Sequence, residues 1–499
     1  MAIKNRLYCL FAGALCFLLA ACGTLSGAAP SVGALQNARR SMLRVTVTSQ
    51  SYVFHSPWQQ RRPATQTAIG VIVPGGQVLV TGLMVANQRY IELETLDTQE
   101  KQPARVVVVD YDADLALVEP LDAKFLAGRQ PMDLSGDASI GDQLTVWQVK
   151  PNGDVIPDQG LVTSVDLSLF SLNNFFLTYR LNGSLQYGFN NQTLPVVYGD
   201  ALAGLVLRQN TSGQTIEVIA TPVIRHFLKD AQSKKYKGFP TAGFYFGALS
   251  DPQLRRYIGL PESLTGIYVQ KVLKGSPADK AGLMAGDVIT RIGDHEVTNN
   301  GQYNHPRYGQ TSVVHLIRTG SYVGDPLAMR IYRAGKTLDL QPVLDHRQPD
   351  EYLVPPYILD RQPEYLIVGG LVFLELSMSY LREYGNDWVS DAPIHLLYYQ
   401  QNQDYLNGDH REKIVIISDV IATPFSIGYE NLSNLVVLKV NDQPIGKLDD
   451  VRKALKTPVN GFHKIEVQQH PKELFLDPKE LPQIHKVIEQ RYGIPIPPL

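Results

Sequence analysis

The sequence predicts a mainly β protein built from three consecutive folded modules, and three observations carry that prediction. Apolar runs such as "AIGVIV", "QVLVTG" and "ARVVVVD" recur between turn residues, which is the punctuation of strands. Helical periodicity is nearly missing until "ATPVIRHFLKDAQ" (Ala220 to Gln232), which reads as one amphipathic helix. Farther on, "GIYVQKVLKGSPADKAGLMAGDVITRIGDHEV" (Gly266 to Val297) holds a long ordered pattern, S-P-A-x-x-A-G-L-x-x-G-D-x-I. In it Ser276-Pro277 starts a short helix, Gly282 stops it where a left-handed residue is wanted, and Gly286-Asp287 turns into the strand "VITRI". The length, 499 residues, accommodates three domains of ordinary size. With 46 basic against 48 acidic side chains, no global charge draws the chain to nucleic acid, so partners must be recognised locally.

The first segment reads as an address. "MAIKNRLYCLFAGALCFLLAAC" places Lys4 and Arg6 before an apolar run of about 15 residues, too short for a comfortable membrane span. Its end, Leu19-Ala20-Ala21-Cys22, resembles the lipobox of bacterial lipoproteins, which implies a signal peptide over 1–21 and lipidation at Cys22. Gly23 in place of Asp implies the bacterial cell envelope, on the periplasmic face of the outer membrane. Residues 22–41, rich in Gly, Ser and Ala, suit a flexible tether. All three cysteines lie at or before Cys22, leaving no thiol for a disulfide, a metal or catalysis in the body.

Residues 42–232 form the first module. "WQQRRPATQTAIGVIVPGGQVLVTGLMVAN", "VVDYDADLALVEP" and "VVYGDALAGLVL" follow one another in the order of the histidine, aspartate and serine segments of a trypsin-like protease. Together with the Gly266 to Val297 pattern, which matches a PDZ domain, they resemble the Deg/HtrA family of serine proteases. That resemblance implies a trypsin-like double β-barrel over 42–232, a first PDZ domain over 233–345 and a PDZ-like second domain over 346–499, as in the plant-type branch.

The family's catalytic positions fall on Met84, Asp114 and Ala201. A thioether accepts no proton near neutral pH and a methyl group is no nucleophile, so the resemblance implies a degenerate triad. Leu202 and Ala203 also replace the two glycines that follow the family's serine. Asp114, just before a buried "LALV" strand, equally suits a turn cap. His55 precedes the "AIGVIV" strand and reads as a solvated loop residue, and Tyr198 reads as packing. Ser171 and Thr193 lack the sharp glycine-supported turn that presents a nucleophile. No metal-ligand cluster, phosphate-cradling loop or other cofactor motif occurs, and carboxylates such as Glu375 and Glu383 read as solvated.

What remains is binding. By the resemblance, "AGFYFGAL" supplies a carboxylate-binding loop and strand, with the amides of Phe244, Tyr245 and Phe246 on the ligand's C-terminus. "TSVVHLIR" (Thr311 to Arg318) supplies the groove helix, with His315 or Leu316 facing a side-chain pocket. The expected partners are peptide C-termini or unfolded envelope proteins, the membrane through the N-terminal lipid, and further copies of the chain, with no nucleic acid. The expected activity is a non-catalytic scaffold or quality-control role. An active endopeptidase and a regulatory subunit of an active Deg protease are the alternatives.

Overall fold

In the computed structural model, residues 39–150, 154–170, 172, 174–186, 193–406 and 411–497 are described. Cys22, the expected leader, nearly all of the expected tether and Ser171 lie outside them. The first six strands are β1 (Met42–Ser49), β2 (Ala64–Val73), β3 (Gln77–Val80), β4 (Gln88–Thr95), β5 (Lys101–Asp110) and β6 (Leu115–Pro120). They close into a barrel in the order β1-β2-β3-β6-β5-β4, with one turn of helix, α1 (Gly82–Val85), between β3 and β4. Closure brings strands together at Gly70, where a Cβ would lie 2.5 Å from Val78 Cγ1 and 2.8 Å from Val45 Cγ2. Only a residue without a side chain leaves those valines room.

A second barrel repeats the plan with β7 (Gln143–Val149), β8 (Val155–Leu169), β9 (Phe175–Asn182), β10 (Pro195–Tyr198), β11 (Ala201–Asn210) and β12 (Thr215–Ala220). Its order is β10-β11-β12-β9-β8-β7. The amphipathic stretch forms α2 (Thr221–Ala231) and buries Val223, Ile224 and Phe227 against it. Backbone bonds from Ile69 N to Thr193 O (3.1 Å) and from Met132 N to Ile72 O (2.8 Å) tie the barrels together.

The next module contains β13 (Phe244–Ala248), α3 (Pro252–Tyr257), β14 (Ile267–Val272), α4 (Pro277–Lys280), β15 (Val288–Ile292), β16 (His295–Glu296), β17 (Gln302–His305), β18 (Gly309–Ser312), α5 (Val314–Arg318), β19 (Met329–Arg333) and β20 (Lys336–Leu340). Its sheet runs β13-β14-β15-β19-β20, which leaves β13 at an edge. Ser276 Oγ caps α4 by accepting from Asp279 N, and Gly282 takes φ +82° just after it. The expected groove helix is shorter than the sequence suggests: Thr311 and Ser312 pair with Tyr303 and Gln302 in the β17–β18 ribbon. Cross-strand pairing there outweighs the weak helix propensity of Thr and Ser.

The last module contains β21 (Tyr365–Val368), β22 (Leu371–Glu375), α6 (Met378–Arg382), α7 (Trp388–Asp391), α8 (Ile394–Asn402), β23 (Val415–Val420), β24 (Leu435–Val440), β25 (Gln443–Pro444), α9 (Leu448–Ala454), β26 (His463–Val467), β27 (Glu473–Leu476) and α10 (Leu481–Tyr492). Its sheet order is β21-β22-β23-β24-β26-β27.

The modules interlock. The tip of the β17–β18 ribbon drives Tyr308, 8% exposed, into the core of the second barrel, while Arg307 donates to Asp137 O at 2.9 Å. The loop after β1 docks on the last module. Glu383 accepts from Phe54 N (3.2 Å) and pairs with Arg61 (2.5 Å), and the ring of His55 lies 4.6 Å from Tyr380 and 4.8 Å from Tyr384. His55 and Glu383 are therefore interface residues rather than solvated ones. Glu375 is half-buried too, accepting from Leu448 N at 3.0 Å where α9 begins.

Candidate functional site

The residues at the three triad positions sit in different surroundings. Thr81 leads into α1, its N–H and hydroxyl both held by Thr193 Oγ1 at 2.9 and 2.8 Å. One turn later Met84 is 1% exposed and belongs to the apolar core of the first barrel with Val45, Val80, Ala116 and Phe125. A thioether has no polar atom that needs water, so that core can absorb it. Asp114, in a left-handed turn at φ +52°, directs Oδ1 to Leu83 N at 2.8 Å. Its carboxyl caps the helical turn that carries Met84, rather than its own turn. Burial pushes the carboxyl up to about 7, against the pull of the Leu83 and Gly82 amides. No imidazole among the described residues bonds to it: His226 is stacked between Phe239 (4.3 Å) and Tyr322 (4.0 Å), and His55 faces Tyr380.

Ala201 opens β11 at a two-residue hairpin. Tyr198 pairs with Ala201 and Val197 with Leu202, around Gly199 at φ +61° and an exposed Asp200. Glycine at the first central position is what a type II′ hairpin asks for. Leu202 and Ala203 are fully buried, and Leu202 N donates to Asp133 O at 2.8 Å. The segment that would present a nucleophile is thus a closed turn between two core strands. Tyr198, 41% exposed, reaches Asp142 Oδ1 at 3.3 Å and does not pack inward.

The peptide-type site is differently furnished. Phe244 and Phe246 turn toward the core of the third module, and Leu316 on α5 packs on the same core. Tyr245, between them, points to the other face of the sheet and donates from its hydroxyl to Asp404 Oδ2 at 2.5 Å. Among the described residues β13 pairs only with β14, so its other edge is available for an added strand. His315 is 8% exposed and lies 2.7 Å from the Tyr303 hydroxyl through Nδ1, which leaves it inside the domain rather than on a pocket wall. Burial, with His305 and His295 nearby, pushes its imidazole down to about 4. The matching strand of the last module, β22, has no free edge, because β21 pairs along it from Tyr365 to Val368.

Sequence reasoning missed the partners that cross modules: Tyr308, Glu383, Asp404, and Asp360, which accepts from the Tyr111 hydroxyl and from Asn87 N at 2.6 Å. No local signal marks them, since each meets its partner only after the chain has folded back from a distant module. Among the described residues no group of three or more His, Cys, Asp or Glu is placed to hold a metal ion.

Comparison with known proteins agrees with this architecture. Family models described as PDZ domain match residues 243–342 and 354–497. Protease Do-like 2, chloroplastic, of Arabidopsis thaliana is 29% identical over 414 residues, covering 81% of this chain and 66% of that protein. Putative protease Do-like 3, mitochondrial, of the same plant is 26% identical over 470 residues, covering 93% of this chain and 80% of the relative. The chain thus spans just under two thirds of the first relative's length. Among solved structures, a serine-to-alanine variant of the HtrA-type protease AlgW with a decapeptide matches with TM-score 0.51 at 18% identity. That match covers 64% of this chain and 98% of the other, and it shares the fold of barrels followed by a PDZ domain.

Proposed function

We propose that this chain, a member of the Deg/HtrA family with a trypsin-like double barrel and two PDZ domains, holds the C-terminal ends of unfolded or envelope proteins without cutting them. The observation that carries the proposal is the pair of replaced catalytic positions. Met84 is sunk in the first barrel's core, and Ala201 lies in a closed hairpin whose next amide is already bonded. Losing nucleophile or base alone costs a triad enzyme on the order of 10⁶ in turnover. Among the described residues neither position has a neighbour that restores the function, because Asp114 faces a backbone amide where the family has an imidazole.

Ligand binding is assigned to the first PDZ domain, where among the described residues one edge of β13 stays unpaired, with Phe244, Phe246 and Leu316 behind it. An extended peptide added there gains main-chain bonds, and the apolar side chains favour apolar ends. The second PDZ domain, its matching edge already paired with β21, serves as a platform for the other modules and for self-association. Lipidation at Cys22 would tether the assembly to the periplasmic face of the outer membrane. Replacing Cys22 with Ser is expected to release the protein from membranes, and retention there would count against the anchor.

The names of the relatives favour a second reading, that of a serine endopeptidase. One experiment separates the two: casein digestion and a serine-reactive phosphonate probe applied to the purified full chain, alongside titration with fluorescent decapeptides of apolar C-terminus. Peptide binding without cleavage or labelling is the expected result. Labelling abolished by a single Ser→Ala change would overturn it. Co-purification with an active Deg protease would make the chain that enzyme's regulatory subunit.

A further inference from the structure

Two side chains on neighbouring strands, on the outer face of the first PDZ sheet, touch the same segment of the second PDZ domain. Tyr245 on β13 and Lys271 on β14 are cross-strand partners. The Tyr245 hydroxyl donates to Asp404 Oδ2 at 2.5 Å, and the Lys271 ammonium lies 5.6 Å from the centre of the Tyr405 ring. A segment that meets both strands from one side lies over the face of the sheet rather than plugging the edge of β13. The turn that follows α8 therefore roofs the strand to which a ligand would be added.

A strand's side chains alternate between faces. A peptide paired with β13 sends its terminal side chain toward Phe244, Phe246 and Leu316, and the residue before it to the opposite face. There it meets Tyr245, Lys271 and Tyr405. The charges on that face are unequally satisfied. Asp404 already takes the Tyr245 hydroxyl and Arg347 Nη1 (2.9 Å), and the Arg347 guanidinium lies 3.7 Å above the Tyr352 ring. Lys271 has no carboxylate partner among the described residues. The tyrosine rings, 42% and 61% exposed, can cover the methylenes of an incoming side chain.

Resting on the peptide-binding reading above, we infer that the seam between the two PDZ domains selects the penultimate residue of the ligand, with Lys271 favouring a carboxylate there. Specificity is then shared: the first domain reads the apolar terminus, and both domains together read the acidic residue beside it. For an exposed ion pair of this kind the selectivity amounts to roughly 1.4- to fivefold and falls as salt rises.

The test uses the full mature chain and three fluorescent decapeptides that share an apolar terminus and differ only in a penultimate Glu, Gln or Lys. Titrated by polarisation at low salt, the Glu peptide should bind tightest and the Lys peptide weakest. Lys271→Met should erase the Glu preference and leave the Gln peptide's affinity within twofold, whereas Lys271→Arg should keep the preference. Equal affinity of the Glu and Gln peptides for the native chain overturns the inference, and so does a preference that survives Lys271→Met. Phe246→Asp, which strikes the core side of β13, should weaken all three peptides alike. If none of the peptides binds the native chain, the peptide-binding reading falls and takes this one with it.

Discussion

Replacing Asp114 with Asn asks whether the carboxyl has anything to orient. The group is 6% exposed, and burial raises it from 3.8 to about 7. Below pH 3.8 the carboxyl is neutral in the folded and unfolded chains alike, so it adds no pH-dependent term. Between pH 4 and 7 the unfolded chain ionises while the folded one resists, and stability falls as pH rises. At 1.36 kcal/mol for each pH unit the accumulated penalty above pH 7 is about 4 kcal/mol. Asn carries no such penalty, tolerates φ +52°, and its carbonyl can still accept from Leu83 N. Relative to the native chain, Asp114→Asn is therefore expected to gain about 3 kcal/mol between pH 4.5 and pH 8, since about 1 kcal/mol of the penalty has already accumulated at pH 4.5. That corresponds to a relative rise on the order of 10 °C in the melting temperature of the barrel transition. Calorimetry of both proteins at the two pH values measures it, and pH effects elsewhere in the chain cancel in the comparison. A melting difference that does not change with pH, or that turns against Asp114→Asn as pH rises, would refute the reasoning, because it would mean an ionised, paired carboxylate.

Four further outcomes follow from the same geometry. Restoring the missing groups with Met84→His and Ala201→Ser together is expected to yield no casein cleavage, because the hairpin at Gly199-Asp200 and the buried Leu202 persist; measurable turnover would contradict that. Tyr308→Ala removes a ring buried in the second barrel and should cost about 3–5 kcal/mol of docking, seen as faster hydrogen exchange in β17–β18 at unchanged exchange in β14. Glu383→Ala takes away the acceptor for Phe54 N and Arg61, so amides of the loop after β1 should lose about 1–3 kcal/mol of protection. His315, held down near 4, contributes stability that is present above pH 6.5 and lost as pH falls toward 4. That loss is about 2 kcal/mol at pH 5, and hydrogen exchange of α5 at pH 5 and 7.5 in the native chain and in His315→Gln checks it.

Much of the fold was legible because it is local. Alternating apolar residues dictate strands, a proline after serine starts α4, and Gly282 stops it, all within a few residues of chain. The side-chain types of Met84, Asp114 and Ala201, which the resemblance sets at the triad positions, are likewise properties of the chain that need no coordinates. Their surroundings are not. Whether Met84 faces a cleft or a core depends on Val45 and Phe125, which approach it only when the barrel closes. His315 looked like a groove residue on a helix, yet Tyr303 claims it from a ribbon that shortens that helix.

The strand-rich pattern, the order of the modules and the thioether and methyl groups at positions 84 and 201 were set by the sequence alone, because side-chain type and short-range periodicity are properties of the chain. Which strand edges stay unpaired depended on how the modules pack. Among the described residues one edge of β13 is unpaired while β22 is covered by β21, His55 and Glu383 join the first barrel to the last domain, and Asp404 is carried over the face of β13. Edge pairing and domain docking bring together residues up to 329 positions apart, where no local pattern can encode the match and only complementary surfaces select it.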